Sequence, residues 1–445
     1  MPDVWTCEPL ARSIDASISP PGSKSLTNRA LVLAALANGP CRLENVLFAD
    51  DTKHMLHALK ALGLEMTVDE DERNVTTNAP ASHDFATSDA TVFCGNSGTT
   101  IRFLSALLAA AGDATFTLDG VARMRERPIG PLVALLNELG GNVTFADRDG
   151  YPPITVEANG LTGGEIAYPA GETLSSQFLS AALMVAPYTR RETHIALDGR
   201  QTSWPYVKMT MRLMDLFGVT PEVEIDDEDS REPQAIVVPR GRYAGTDHTI
   251  EPDASAASYF LGLAAIHPGS RVTVEGLGGD SLQGDARFAD VLRRMNCHVT
   301  QTATATVVVG PDQLDGVDVD LSDMPDCAQT LAVVACFAAG ETTLRGLSTL
   351  RVKETDRVAA LQTELTKLGC EVRVEESPDD LSLTILPPAR LKKATIATYD
   401  DHRMAMSFAL AATKRRGIEI AEPGCVSKTY PRFFGDLTGI LTADN

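Results

Sequence analysis

Positive charge is what this sequence is short of: 39 lysines and arginines stand against 60 aspartates and glutamates, a net charge of −21 over 445 residues. Such a chain repels nucleic acid and anionic membranes at long range, so neither is expected as a partner. Long apolar runs are missing too. None approaches the ~18 to 20 residues of a membrane-spanning helix, and Met-Pro-Asp-Val-Trp at the start lacks the basic and apolar regions of a signal peptide. The expectation is a soluble, cytoplasmic protein. The eight cysteines are scattered with no Cys-x-x-Cys pair, which points to reduced thiols rather than a disulfide framework or a zinc site. His54 and His57 have a spacing that could bridge a metal on a helix, but no neighbouring pattern supplies further ligands. No metal and no cofactor are expected.

A nucleotide-binding loop is also missing, although "PPGSKSLTNRALVLAALANG" (20–39) resembles one at first sight. The P-loop needs two glycines spaced to wrap phosphates in backbone N–H groups. Here Pro20 and Pro21 stand where donors would be required. The start of a helix carrying a cation still suits a carboxylate or phosphate.

What is present is repetition. An amphipathic helical phrase recurs as "MLHALKALG", "LVALLNELG", "MRLMDLFG", "FADVLRRMN", "LQTELTKLG" and "FFGDLTG", closing at 63, 140, 218, 296, 369 and 439, with spacings of 70 to 78 residues. A second series, small-residue-rich and apolar on all sides, precedes each: "NRALVLAALANG", "IRFLSALLAAAG", "SQFLSAALMVAP", "AASYFLGLAAIHPG", "AQTLAVVACFAAG" and "AMSFALAATKRRG". Helices apolar all round are buried, whereas the first series has a polar face for solvent. Short Val/Ile/Thr-rich stretches between them, such as "RVTVEGL" and "EVRVEES", read as strands. The acidic stretches 221–232 and 376–380 read as solvated hairpin loops. Six units of near 75 residues fill the chain.

Each buried helix opens on polar residues: Gly22 to Ser25, Gly95 to Thr99, Ser175 to Gln177, Asp253 to Ser255, Asp326 to Gln329 and Asp400 to Arg403. As helix caps most of these need no further explanation. Cations do. Lys24, Arg403, and Lys353 with Arg357 at the start of "KETDRVAALQTEL" sit near helix N-termini, where the macrodipole disfavours them by roughly 0.3 to 1 kcal/mol each. Negative charge is expected beside them, and a small anionic ligand is the economical source.

"PGSKSLTNRAL", "GNSGTTIRF", "RMRERPIG", "SSQFLSAALM", "VKETDR", "DHRMAMSFAL" and "KTYP", in this order along the whole chain, resemble the signature series of the 5-enolpyruvylshikimate-3-phosphate synthase (3-phosphoshikimate 1-carboxyvinyltransferase) family. The resemblance implies a two-domain inside-out α/β barrel. It has six repeated βαβαββ units, three per domain, with the active site in the interdomain cleft. The domains would be residues 21–251, and 1–20 with 252–445, closing on the first substrate about Pro20-Pro21 and Glu251-Pro252. It also implies transfer of the enolpyruvyl group of phosphoenolpyruvate to the 5-hydroxyl of shikimate 3-phosphate, by a monomer without cofactor. Carried over residue by residue, Ser25 and Arg29 would hold the shikimate carboxylate, and Ser175, Ser176 and Ser203 its phosphate. Gln177 would pack on the ring, and Asp326 and Lys353 would reach ring hydroxyls. Lys24, Gly98, Arg127, Gln177, Arg357, Arg403 and Lys428 would surround phosphoenolpyruvate. Lys24 would touch both substrates. Addition needs one base and one acid, for which Asp326 and Glu354 are the choices, with Lys353 and Arg357 flanking Glu354 and keeping it ionised when no ligand is bound.

Two positions depart from the family pattern. Thr349 stands where Asn is common, with a shorter reach and no amide, and Phe103 follows Arg102 where Pro is common. The resemblance also makes glyphosate an inhibitor competing with phosphoenolpyruvate beside Gly98. Two alternatives are a sister enzyme acting on UDP-N-acetylglucosamine, whose reactive loop cysteine has no counterpart in "GVARMRERP", and a non-catalytic anion-binding paralogue.

Overall fold

The structure is a computed structural model and describes residues 3–79, 89–169, 171, 175–225, 232–377 and 380–443. The central parts of both acidic stretches read as hairpin loops, 226–231 and 378–379, lie outside the described residues. The chain divides into two compact units. One is continuous, Gly22–Ile250; the other is split, Met1–Pro21 with Glu251–Asn445.

Among the described residues twelve α-helices alternate between the two expected kinds. In the continuous unit they are α1 (Lys24–Leu36), α2 (Asp50–Ala61), α3 (Gly98–Ala109), α4 (Gly130–Glu138), α5 (Ser176–Val185) and α6 (Trp204–Leu216). In the split unit they are α7 (Ala254–Ile266), α8 (Phe288–Arg294), α9 (Ala328–Ala335), α10 (Arg357–Leu368), α11 (His402–Ala412) and α12 (Phe433–Thr442). The odd-numbered helices are the apolar series: every residue of α3, α7, α9 and α11 is buried. Small residues let them approach closely. At Gly262 of α7 an added Cβ would lie 3.1 to 3.2 Å from Thr330 of α9, Leu410 of α11 and Val334, so that glycine marks where three helices converge. Even-numbered helices bury one face only, as their periodicity requires.

The Leu-Gly endings have a conformational cause. Gly63, Gly140, Gly218, Asn296 and Gly369 all have φ between 76° and 97°, the left-handed residue that ends a helix and suits glycine or asparagine. The sixth does not follow, because Gly439 lies inside α12.

Among the described residues five of the six helix pairs accompany a four-stranded sheet and the last a three-stranded one. In the second repeat Asp89–Phe93 runs parallel to Ala114–Asp119 across buried α3; α4 and a hairpin then add Asn142–Phe145 and Ile154–Ala158 antiparallel. The third repeat does the same with Gly164–Tyr168 and Thr193–Leu197 across α5. In the first repeat the strand before α1, Asp15–Ile18, pairs instead with Arg271–Glu275 of the split unit. Its place beside Gly39–Glu44 is taken by Asp247–Thr249, the strand before α7. Both passages of the chain from one unit to the other therefore fall between a strand and the buried helix after it. The sixth repeat has no trailing hairpin, and Val4–Trp5 supplies the antiparallel neighbour of Ile418–Ala421.

Two helix starts differ from the sequence reading. The helix read as opening at Lys353 begins at Arg357: residues Ser348–Val352 form a 3-10 turn, and Asp356 caps α10 by accepting from the N–H groups of Val358 and Ala359. Asp326 does not cap α9. It lies in the 3-10 turn Pro325–Cys327, which leaves its carboxylate for other partners.

Candidate active site

In the continuous unit Lys24 is the first residue of α1, behind the Ser23 cap, and its ammonium lies 3.4 Å from the buried Asp51 carboxylate at the start of α2. The Asp51 carbonyl accepts from Ser97 and Thr100 hydroxyls (3.2 and 3.1 Å), which ties the starts of α2 and α3 together. Gly98 opens α3. A Cβ there would fall 2.6 Å from Nη2 of Arg127 and 2.8 Å from Nη1 of Arg102. The glycine therefore leaves room for two guanidinium groups. Arg127 donates to the Asn96 carbonyl and side chain (3.0 and 3.2 Å). Arg102 donates to Gln177 Oε1 (2.7 Å) and the Pro128 carbonyl and lies over the Phe178 ring.

Ser175 caps α5 by accepting from the Gln177 N–H, and Ser176 is the first helical residue. Ser203, before α6, is nearly buried and has left-handed backbone (φ 57°). For a residue with a Cβ this costs of order 1 to 3 kcal/mol, and such strain gathers at functional positions. Arg29 is wholly enclosed. Its Nε donates to Thr210 (2.7 Å), and its other nitrogens to the Ser25 carbonyl, Ser180 Oγ and the Tyr206 carbonyl, while Phe103 lies against it. Four of its five N–H donors are thus taken by neutral groups. Burial pushes its pKa down to about 10, only partly offset by Tyr206.

The split unit is built from opposite charges. Arg357, first residue of α10 and 1 % exposed, donates through Nε and Nη2 to the Asp401 carboxylate (2.7 and 3.2 Å) and through Nη1 to Asp326 (3.2 Å). Its Nη2 also lies 2.8 Å from Glu354. Burial opposes the guanidinium charge, but Asp401, Glu354 and Asp326 outweigh it and raise its pKa. Arg403 donates through Nη2 to Asp326 (2.7 Å) and through Nη1 to the Asp326 carbonyl and the Tyr259 hydroxyl. Lys428 is 4.0 Å from Glu354. Asp326, Glu354, Arg357, Arg403 and Lys428 thus form one connected cluster. The negative charge expected beside the N-terminal cations is supplied here partly by the protein.

The profile of the EPSP synthase (3-phosphoshikimate 1-carboxyvinyltransferase) family matches residues 11–437. The 3-phosphoshikimate 1-carboxyvinyltransferase of Aliivibrio salmonicida is 44 % identical over 435 residues, covering 97 % of this chain and 98 % of the relative. This chain belongs to the EPSP synthase family. The chloroplastic 3-phosphoshikimate 1-carboxyvinyltransferase of Brassica napus is 46 % identical over 444 residues, covering 96 % of this chain and 84 % of the relative. The fold of an EPSP synthase from Acinetobacter baumannii superposes with a TM-score of 0.78 at 24 % identity, covering 96 % of each chain. That of the enolpyruvyl transferase NikO from Streptomyces tendae gives 0.72 at 18 %, covering 98 % of this chain and 96 % of that one. The two-unit α/β fold is thus that of the EPSP synthases.

Within this EPSP synthase fold, four residues that the sequence reading passed over hold the others. Asp401 joins Arg357 to α11, which it caps by accepting from the Arg403 N–H. Arg102 holds Gln177, Asn96 holds Arg127, and Asp51 meets Lys24. Asp285 belongs with them: buried against the Ser255 hydroxyl, it is pushed up to about 6 by desolvation and by the nearby Asp326 charge. Only Asp401 had a local signal, an acid two residues before an arginine at a helix start. The Thr349 hydroxyl, at the departure from the family pattern, is buried with no hydrogen-bond partner among the described residues.

Proposed function

We propose that this chain transfers the enolpyruvyl group of phosphoenolpyruvate to the 5-hydroxyl of shikimate 3-phosphate, releasing phosphate by addition and elimination. The observation that carries the reading is the split-unit cluster, in which two carboxylates, Asp326 and Glu354, share the Arg357 guanidinium. Asp326 takes the proton of the 5-hydroxyl as that oxygen bonds to C2 of phosphoenolpyruvate. Glu354 gives a proton to C3, which becomes a methyl group. In the second half the Glu354 carboxylate takes a proton back from that methyl, the double bond re-forms and the C–O bond to phosphate breaks, the leaving phosphate carrying off the electron pair and the proton held by Asp326. Arg357, Arg403 and Lys428, with Lys24, Arg127, Gln177 and the backbone at Gly98, take phosphoenolpyruvate. Its negative charge beside Arg357 and Lys428 offsets the cations that favour an ionised Glu354, so that the carboxyl can carry the proton it donates.

Shikimate 3-phosphate is held by Ser25 and Arg29 at its carboxylate, by Ser175, Ser176 and Ser203 at its phosphate, by Gln177 at the ring, and by Lys24, Lys353 and Asp326 at its hydroxyls. Two carboxylates and two phosphates bring roughly −5 to −6, against seven cations: Lys24, Arg29, Arg127, Lys353, Arg357, Arg403 and Lys428. Residues of both units are required, neither set being complete alone. The reading also takes the chain as a cytoplasmic monomer working without metal or organic cofactor; light scattering checks the first point and turnover after chelator treatment the second. The deciding experiment is phosphate release with both substrates together, each alone, and UDP-N-acetylglucosamine replacing shikimate 3-phosphate. Release only with the proposed pair is expected. Release with the sugar nucleotide, or none at all, would sink the reading.

A further inference from the structure

The most acidic features of the chain make one basic cluster conspicuous. In the split unit a cavity of about 430 Å³ is lined by Arg390, from the loop after the strand Leu381–Leu386, and by Lys414 and Arg415, which follow α11. None of the three has a carboxylate within ion-pair distance among the described residues. Arg373, by contrast, reaches Glu341, and Arg416, next in sequence, reaches Glu8 at 3.2 Å.

Helix chemistry explains part of this. Lys414 and Arg415 stand just past the C-terminus of α11, where the macrodipole favours cations. It does not explain Arg390, which belongs to no helix, nor the Nε of Arg415, which is buried with no hydrogen-bond acceptor. A buried donor left without a partner costs of order 1 kcal/mol or more in a folded protein, so an acceptor brought by a ligand would be favourable. Burial also lowers the Lys414 pKa, and no carboxylate offsets it. The rest of the wall is apolar, with Phe337, Pro388 and Leu391 facing the same space. A neighbouring cavity of about 260 Å³ shares Lys414 and Phe337 but is also lined by Asp312, whose charge disfavours an anion there.

We propose that the cavity between Arg390, Lys414 and Arg415 is a second anion site, taking a small organic anion with a flat apolar body that bears a phosphate or carboxylate. The anionic group would bridge Arg415 and Lys414, with Arg390 closing over it, while the body packs on Phe337, Pro388 and Leu391. The volume is within the usual range for small-molecule sites and too small for a polymer. None of these residues belongs to the set proposed for the reaction, so the site is independent of that reading.

Calorimetric titration of the full chain with phenyl phosphate tests it, using the Arg390→Gln/Lys414→Gln variant and, as the reciprocal, Lys24→Ala/Arg127→Ala. The expected result is a binding component weakened about tenfold or more in the first variant, the size of a lost charge-assisted contact, and kept in the second. Unchanged turnover in the first variant would show that it is folded. Inorganic phosphate and benzoate as separate probes report which anionic group is preferred, and binding of either that the first variant weakens supports the site. Binding that is equal in wild type and the first variant, or that vanishes wholly in the second, would overturn the proposal.

Discussion

The two units share an architecture but treat buried charge in opposite ways. In the continuous unit Arg29, Arg102 and Arg127 rest on hydroxyls, carbonyls and amides, and one carboxylate, Asp51, meets Lys24. In the split unit Arg357 and Arg403 are enclosed by Asp326, Glu354 and Asp401. Neutral acceptors orient a guanidinium without cancelling its charge, so the first arrangement keeps positive potential for an incoming anion. Carboxylates cancel it, and the second arrangement is nearly balanced before any ligand arrives. What it gains is groups that can move protons. On the proposed reading, one scaffold, repeated, carries a charge-receiving set and a proton-handling set.

The comparison can be broken most sharply at Asp401. Replacing it by Ala leaves the Arg357 guanidinium buried with its best partner gone, and loss of one member of a buried pair costs about 3 to 5 kcal/mol. Urea unfolding should show a loss of that size; a loss under about 1 kcal/mol would mean that Asp326 and Glu354 suffice to hold Arg357. The next effect is one of pH. Because the Asp285 pKa is raised to about 6, the folded state binds its proton more tightly than the unfolded one does. Its contribution is present at low pH and is lost as pH rises from about 4 through about 6. Asp285→Asn should flatten the stability profile over that range, and parallel profiles for the two proteins would refute the assignment.

Smaller in free energy, but on turnover, Glu354→Gln and Asp326→Ala should each slow phosphate release by at least about 10²-fold, the low end for acid–base groups. Shikimate 3-phosphate should still bind, as read by a thermal shift. Near-normal turnover would remove that residue from the mechanism. The mildest change is Gly98→Ala. Because the new methyl meets Arg127 and Arg102, both constants should rise: the KM for phosphoenolpyruvate and, by a larger factor, the inhibition constant of glyphosate, the bulkier ligand. Equal proportional changes would mean that Gly98 does not separate the two ligands.

Much of this was readable in the sequence because it depends on local rules. Buried helices announce themselves by being apolar on every face, as α7 is, and left-handed endings by Gly63, Gly140, Gly218 and Gly369. What the sequence withheld was pairing over distance. "DDHR" offers two acids, and only burial shows that Asp401 rather than Asp400 meets Arg357, 44 residues away. "VKETDR" reads as one helical run, yet Asp356 captures two backbone donors and moves the helix start to Arg357. The exchange of Asp15–Ile18 for Asp247–Thr249 leaves no local trace either, since a strand's hydrophobic pattern does not say which sheet it joins.

That exchange also sets a timetable for synthesis. The continuous unit is a single stretch whose last strand, Asp247–Thr249, completes it before α7 exists. The split unit cannot begin so early. Its strand Asp15–Ile18 has no neighbour until Arg271–Glu275 is made, and the Ile14 N–H waits for the Ser270 hydroxyl 256 residues on. At about 5 to 20 residues per second on the ribosome this is a delay of roughly ten to fifty seconds. Val4–Trp5 waits longer still, for Ile418–Ala421 near the far end. Between completion of the continuous unit near residue 250 and synthesis of Arg271–Glu275 the nascent chain therefore carries two unpaired strand edges ahead of that unit, and after it one, Val4–Trp5. Those edges are where a chaperone has something to hold, and where a stalled or truncated chain begins to aggregate.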